Sequence, residues 1–274
     1  MILKLIQFAF NVLEVVAPGL GSRLAFYLFF KPIRLKKPWD ADLIDSSVER
    51  LSGPQGEVNL RIFGDRSQKQ IILIHGWSSG GVVFQKLIRS LLSNGYCCLV
   101  PDMPAHATSP GKTTNVFEFK YVIDQIRQSF PDAHDLVGHS IGGVSSTLSV
   151  LDNPSGIEHL ITVSSPVYLD QILETFFNTT GGGTRIMARM RRLLEQKFGK
   201  REDEVSIGKQ VHRLDKDVKF LVIHDKTDAE VPYQESLELA ENGHAKHFTS
   251  DGFGHTRLLK TDAVQDQIIS FLTN

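Results

Sequence analysis

From residue 57 onward, short apolar runs rich in β-branched residues alternate with stretches of helical periodicity. A run such as "QIILIHG" shows no polar alternation, so it suits a strand buried on both faces. Such strands occur in parallel sheets whose crossover helices cover both sides. The strands read this way are "EVNLRIFG", "QIILIHG", "YCCLVPD", "DLVGH", "EHLITVSSP", "VKFLVIHDKTD" and "KHFTSDG". Between them lie the helical patterns "VVFQKLIRSLLSNG" and "VFEFKYVIDQIRQSF", and a third helix that begins at Ser140 and fades near Asn153 and Pro154. "TRLLKTDAVQDQIISFL" reads as one closing helix. The expected fold is therefore α/β, with a mostly parallel central sheet and helices on both faces.

Residues 166–217 break this rhythm and separate two strands by far more chain than a crossover needs. Within them "RIMARMRRLLEQKFG" puts Ile186, Met187, Met190, Leu193, Leu194 and Phe198 on one helical face. An insertion here falls near the strand C-termini, so a helical lid over a site is expected. The domain reading is a single unit over residues 39–274, with this insertion inside it and an apolar helical extension over residues 1–38.

The chemistry centres on "GHSIGG". Gly138-His139-Ser140-Ile141-Gly142 fits G-x-S-x-G, in which serine occupies a sharp strand-to-helix turn. Alone the pattern is weak, arising by chance in about one chain in seven of this composition. Acyl transfer also needs a base, a group to orient it and donors for the oxyanion. The run "KFLVI" delivers Asp225 and Asp228 just past a strand end, and "DGFGHTRLL" places His255 on a loop before a helix. The chain order is Ser140, acid, His255. The amide of Ile141, at the start of a helix, has no acceptor within that helix and is free to donate. Gly138 and Gly142 permit the tight turn and the close approach of helix to strand.

From about residue 57 to the C-terminus the sequence resembles an α/β-hydrolase-fold serine hydrolase of the esterase and lipase kind. The resemblance rests on "HGW" after one strand, "DMPAHATSP" after the next, "GHSIGG", and the late Asp and His segments. It implies that the backbone N–H of Trp77 joins that of Ile141 in an oxyanion hole. It favours Asp228 over Asp225 as the orienting acid, through the match to Asp228-Ala229-Glu230-Val231-Pro232. The implied triad is Ser140, Asp228 and His255, and the implied reaction is cleavage of a small-molecule ester, with lipophilic acyl or alkyl groups in view. Thioester, lactone or C–C hydrolysis on the same triad remains an alternative, as does a non-catalytic hydrolase-like binding protein. The family's D-x-x-G-x-G-x-S loop is altered here: Ala105 and Ala107 stand where it has glycine. His75, His106 and His139 are read as structural. No cofactor is required by this chemistry, and no metal-ligand spacing is visible.

The N-terminus is the unusual part. In "ILKLIQFAFNVLEVV" the polar residues Lys4, Gln7, Asn11 and Glu14 cluster within about 80° of arc, leaving a very wide apolar face. Two readings stay open. Residues 1–38 form a helical hairpin packed on the hydrolase core or on a second subunit, or they form a peripheral membrane anchor with Lys31, Arg34, Lys36 and Lys37 at headgroup level. A formal net charge of −1 offers no general reason to expect nucleic acid as a partner. Cys97 and Cys98 are adjacent on a strand and point to opposite faces, which makes them poor disulfide partners and suits a cytoplasmic location.

Overall fold

The structure, a computed structural model, describes residues 2–43 and 46–273. Its sheet has eight strands: β1 (Ser47–Leu51), β2 (Val58–Phe63), β3 (Lys69–Ile74), β4 (Tyr96–Pro101), β5 (Ala133–His139), β6 (His159–Val163), β7 (Lys219–Asp225) and β8 (Lys246–Ser250). Their order is β1-β2-β4-β3-β5-β6-β7-β8. The pairs β1–β2 and β2–β4 are antiparallel, and every later pair is parallel. Strand order reverses around β3, which lies between β4 and β5. In an open parallel sheet that reversal opens a crevice at the carboxyl ends of the two flanking strands.

The helices in chain order begin with α1 (Ile2–Val16), α2 (Pro18–Phe29), α3 (Gln85–Ser93), α4 (Val116–Ser129) and α5 (Ile141–Asp152). They continue with α6 (Leu169–Thr180), α7 (Thr184–Phe198), α8 (Glu202–Val205), α9 (Ile207–Gln210), α10 (Tyr233–Asn242), α11 (Gly254–Arg257) and α12 (Asp262–Thr273). The strand period of two sorts the central strands between two cores. Ile72 and Ile74 join Phe119 and Val122 of α4 and Leu148 of α5. Ile71 and Leu73 join Leu87 and Ile88 of α3 and Val264 and Ile268 of α12. Each such fully buried aliphatic side chain is worth about 1.5–3 kcal/mol over exposure. Cys97 and Cys98 divide between the same two cores, both buried and both free.

Several elements differ from the sequence reading or add to it. Strand β1 is additional. Its residues from Ser47 to Arg50 are half or fully exposed, so it carries no apolar signal. The closing helix is broken: Leu258–Lys260 forms a 3-10 turn, and the Thr261 hydroxyl receives the Val264 N–H as α12 starts afresh. The hairpin of α1 and α2 packs neither on the sheet nor on its covering helices but on the insertion. Phe10 and Ala25 of the hairpin share a third core with Leu173 and Phe177 of α6 and Ile186, Met190 and Leu194 of α7. Gly21 lets α2 approach α7, because a Cβ there would lie 2.5 Å from Ile186 Cδ1.

One carboxylate ties the two pieces together. Gly183, the N-cap residue of α7, has no side chain to cap the helix. Glu14 of α1 supplies the oxygens instead, accepting from the amides of Gly183 (3.1 Å), Arg185 (2.9 Å) and Ile186 (3.0 Å). A negative charge also complements the partial positive charge of a helix N-terminus.

Candidate active site

Strand β5 runs straight into Ser140, which has φ 54° and ψ −127°. A non-glycine residue held there stores about 1–3 kcal/mol of strain, sustained by its surroundings. The Ser140 N–H donates to Val163 O of β6 at 2.9 Å, which anchors the turn. A Cβ at Gly138 would sit 2.5 Å from Gly143 Cα, and one at Gly142 would overlap the carbonyl of Ile74. Both positions therefore require glycine for helix α5 to close against β3 and β5.

Two strands away, β7 ends at Asp225, and the turn after it carries Asp228, whose side chain is fully buried. Asp228 Oδ2 lies 2.8 Å from His255 Nδ1 and 3.2 Å from His224 Nε2. Its Oδ1 accepts the amides of Glu230 (2.9 Å) and Val231 (3.0 Å). Burial works against the charge, but the two imidazoles and the amides outweigh it and hold this carboxyl far below the usual carboxylate range. With Asp228 accepting, the His255 proton resides on Nδ1, and Nε2 is left free to accept. Glu230 Oε2 lies 3.9 Å from that Nε2.

Asp225 does not touch His255. It accepts from the Thr227 and Ser250 hydroxyls (both 2.7 Å) and from the amides of Thr227 (2.9 Å), Phe253 (3.1 Å) and Gly254 (3.0 Å). It thus knits the β7 turn to the start of helix α11, which carries His255. That histidine sits in the first turn of the short helix α11, not in a loop.

Three further histidines lie beside the site, and their hydrogen bonds hold His75 and His106 neutral. His75 Nδ1–H donates to Gly76 O at 2.8 Å, while Nε2 accepts the Met103 N–H at 3.1 Å. Burial pushes its pKa down to about 4. His106 Nδ1–H donates to Pro104 O at 2.9 Å and Nε2 accepts the Ser78 N–H at 2.9 Å. Its pKa is pushed down to about 3, by burial first and then by His75. His139 Nε2–H donates to the His255 carbonyl at 2.9 Å, and burial pushes its pKa to about 3 as well. His106 thereby fixes the loop after Trp77, and His139 fixes the backbone of His255. Ala105 (φ 63°) and Ala107 (φ 39°), the two alanines in the loop, both adopt the left-handed region that favours glycine.

Ser140, Ile141, Trp77 and His255 all border one cavity of about 590 Å³. Its remaining wall is mostly apolar and comes from three sources: Leu28 and Phe29 of the hairpin, Phe117 and Val144 of the domain, and Ile172, Phe176 and Phe198 of the insertion. As the first residue of α5, Ile141 has an N–H without an intrahelical acceptor. Sequence reasoning did not single out His224 or Glu230. His224 was visible only as the partner of Asp225 in "IHD", and nothing in the string says that it folds back four residues. Away from the cavity, Asp135, Glu158 and His159 bring ligand atoms within 4.8 Å of one another, with His159 Nδ1 held by Asp135 Oδ1 at 2.7 Å.

Comparison with known proteins bears on the frame that holds these residues. A family model described as alpha/beta hydrolase fold matches residues 69–185, and one described as TAP-like protein matches residues 201–274. The chain is 29% identical over 100 residues to a pimeloyl-(acyl-carrier protein) methyl ester esterase of Aeromonas hydrophila, spanning 36% of this chain and 39% of that protein. It is 27% identical over 127 residues to a serine hydrolase-like protein of Mus musculus, spanning 44% of this chain and 40% of that one. The matches thus span about two-fifths of the length of these curated relatives. Among solved structures, an esterase of Pyrococcus furiosus superposes with a TM-score of 0.68 at 19% identity, covering 88% of this chain and 98% of that one. A thioesterase domain from the curacin biosynthetic pathway gives 0.64 at 18% identity, covering 84% and 99%.

Proposed function

The chain has the α/β-hydrolase fold, and from that premise we propose that it is a serine hydrolase cleaving carboxylic esters through an acyl-enzyme on Ser140. The observation that carries the reading is the 2.8 Å pair of His255 Nδ1 with the buried Asp228, on the cavity that Ser140 borders from its strained turn. His255 Nε2 takes the hydroxyl proton as Ser140 Oγ attacks the ester carbonyl. Asp228 holds the tautomer and stabilises the imidazolium that forms. The amides of Trp77 and Ile141 receive the oxyanion, each worth about 3 kcal/mol in the transition state. Collapse of the tetrahedral species expels the alcohol, which takes the proton from His255. Water, activated by the same imidazole, then releases the acid. The insertion and the hairpin act as a lid, and their apolar wall favours a lipophilic acyl or alkyl chain.

A fluorophosphonate probe tests the nucleophile directly. Labelling of the folded protein and its loss in Ser140→Ala are expected. Labelling that survives in Ser140→Ala would remove Ser140 from the mechanism. A panel of esters, thioesters and lactones of rising acyl length, run on both forms, tests the substrate class. Rates for esters should rise from acetyl toward octanoyl, and a steady fall along that series would rule out a lipophilic chain in the cavity.

A further inference from the structure

Helix α1 has one very wide apolar arc, and only part of it is used. Ile6, Phe10 and Leu13 pack into the core shared with the insertion. The other part carries Leu5, Phe8, Val12, Val15 and Val16, which fall within about 100° of arc at helical spacing. These five are 62%, 69%, 43%, 72% and 71% exposed, and Leu20, just past the turn into α2, is 60% exposed. Large aliphatic and aromatic side chains are seldom left in water as a contiguous stripe without a partner. Residues 1–37 also contain six basic side chains, Lys4, Arg23, Lys31, Arg34, Lys36 and Lys37, all exposed, in a chain whose formal net charge is −1. The one acidic residue of that segment, Glu14, is spent inward on the α7 amides. Among the described residues no helix is long and apolar enough to cross a membrane.

We infer that the outer face of α1, with the basic segment after α2, docks the protein onto an anionic lipid surface. The apolar stripe enters the acyl boundary while the cations meet headgroup phosphates, the arrangement of an in-plane amphipathic helix. A second copy is a poorer occupant. A two-fold contact through this segment would bring two copies of a basic region together, with its one acidic side chain, Glu14, already committed inward. The basic segment after α2 also reaches the cavity. Lys31 borders it, and the Ile33 N–H donates to Ser78 Oγ at 2.9 Å, next to Trp77. A docked molecule would thus present its cavity wall close to the bilayer.

The test uses the full chain carrying Ser140→Ala, so that lipid hydrolysis plays no part and a failure of the esterase reading leaves the result interpretable. Co-sedimentation is measured with phosphatidylcholine vesicles and with vesicles containing about 30% phosphatidylglycerol. Binding to the anionic vesicles is expected, at least about tenfold tighter than to the neutral ones and weakened by added salt. The combined variant Leu5→Gln, Phe8→Gln, Val12→Gln, Val15→Gln should lose at least about 100-fold in affinity. Lys36→Glu with Lys37→Glu should lose about tenfold on anionic vesicles alone. Both variants should melt within a few degrees of the parent, which shows that they fold. Absence of binding by the parent, or equal binding by both variants, would overturn the inference. So would a parent dimer that the glutamine variant splits into monomers, which would assign the face to a second copy.

Discussion

The sheet with the segments that carry Ser140 and His255, and the hairpin with the insertion, are assembled by different forces. Around Ser140 and His255 nearly every decisive contact is a hydrogen bond to a buried polar group: Asp228 to two histidines, Asp225 to the start of α11, His106 to Ser78, His139 to the His255 carbonyl. The hairpin and insertion instead share an aliphatic and aromatic core, with rings of Phe29 and Phe176 at 5.3 Å and of Phe30 and Phe198 at 5.5 Å. Directional bonds hold reacting atoms to a few tenths of an ångström, whereas apolar packing tolerates sliding. Ser140 and His255 lie in the first region, and much of the apolar cavity wall comes from the second.

The sharpest break between the regions should come from the triad. Ser140→Ala and Asp228→Asn are each expected to lower kcat/KM by about ten-thousand-fold while melting within a few degrees of the parent. A loss below tenfold for Asp228→Asn would transfer the orienting role elsewhere. Acid should next strain the polar region alone. His75, His106 and His139 have folded-state pKa values of about 4, 3 and 3 against an ordinary value of 6.5. Their depressed pKa values mean that stability is complete above pH 6.5 and is lost on descending toward pH 4, because the unfolded chain takes up the protons. The loss should be about 1.4 kcal/mol per pH unit per histidine. Urea titrations at several pH values measure it, and a flat profile down to pH 5 would mean that these rings are already charged.

Glu14→Gln probes the apolar region at a polar joint between hairpin and insertion. Uncapping α7 should cost about 1–3 kcal/mol, read as faster amide exchange over residues 183–190. Hydrolysis of a long-chain ester should suffer more than that of a short one, since the insertion wall moves and the triad does not. Equal loss on both substrates would show that the regions are mechanically one. The smallest effect is expected from Ala107→Gly. Relief of left-handed strain, about 1–2 kcal/mol, is partly offset by the greater freedom of glycine in the unfolded chain, leaving a gain of about 0.5–1 kcal/mol. A lower melting temperature would contradict the strain at φ 39°.

The same division governs what could be read from residues alone. The parallel strands were legible because burial on both faces writes a continuous apolar run, as in "QIILIHG". Strand β1 was illegible because it lies at the sheet edge with mostly exposed side chains. Ser140 and His255 could be picked out because each follows a recognisable strand, whereas the choice of Asp228 over Asp225 rested on the family resemblance. The second imidazole on Asp228 could not be picked out, since it depends on a turn that folds His224 back over four residues. The seat of the hairpin was hidden for a related reason. Its inner face meets helices some 170 positions away, and a wide apolar surface does not say which of its sides will be covered.

That separation also has a temporal side. Chains emerge from the ribosome at roughly 5–20 residues per second, so Glu14 and Phe10 wait roughly ten to thirty seconds for residues 173–194 to appear. Through that interval α1 has its whole apolar arc uncovered, with neither its cap partner nor its core made. A segment made well before its partners thus finds its place late, and nascent chains would need shelter over this window, from a holdase or from a bilayer.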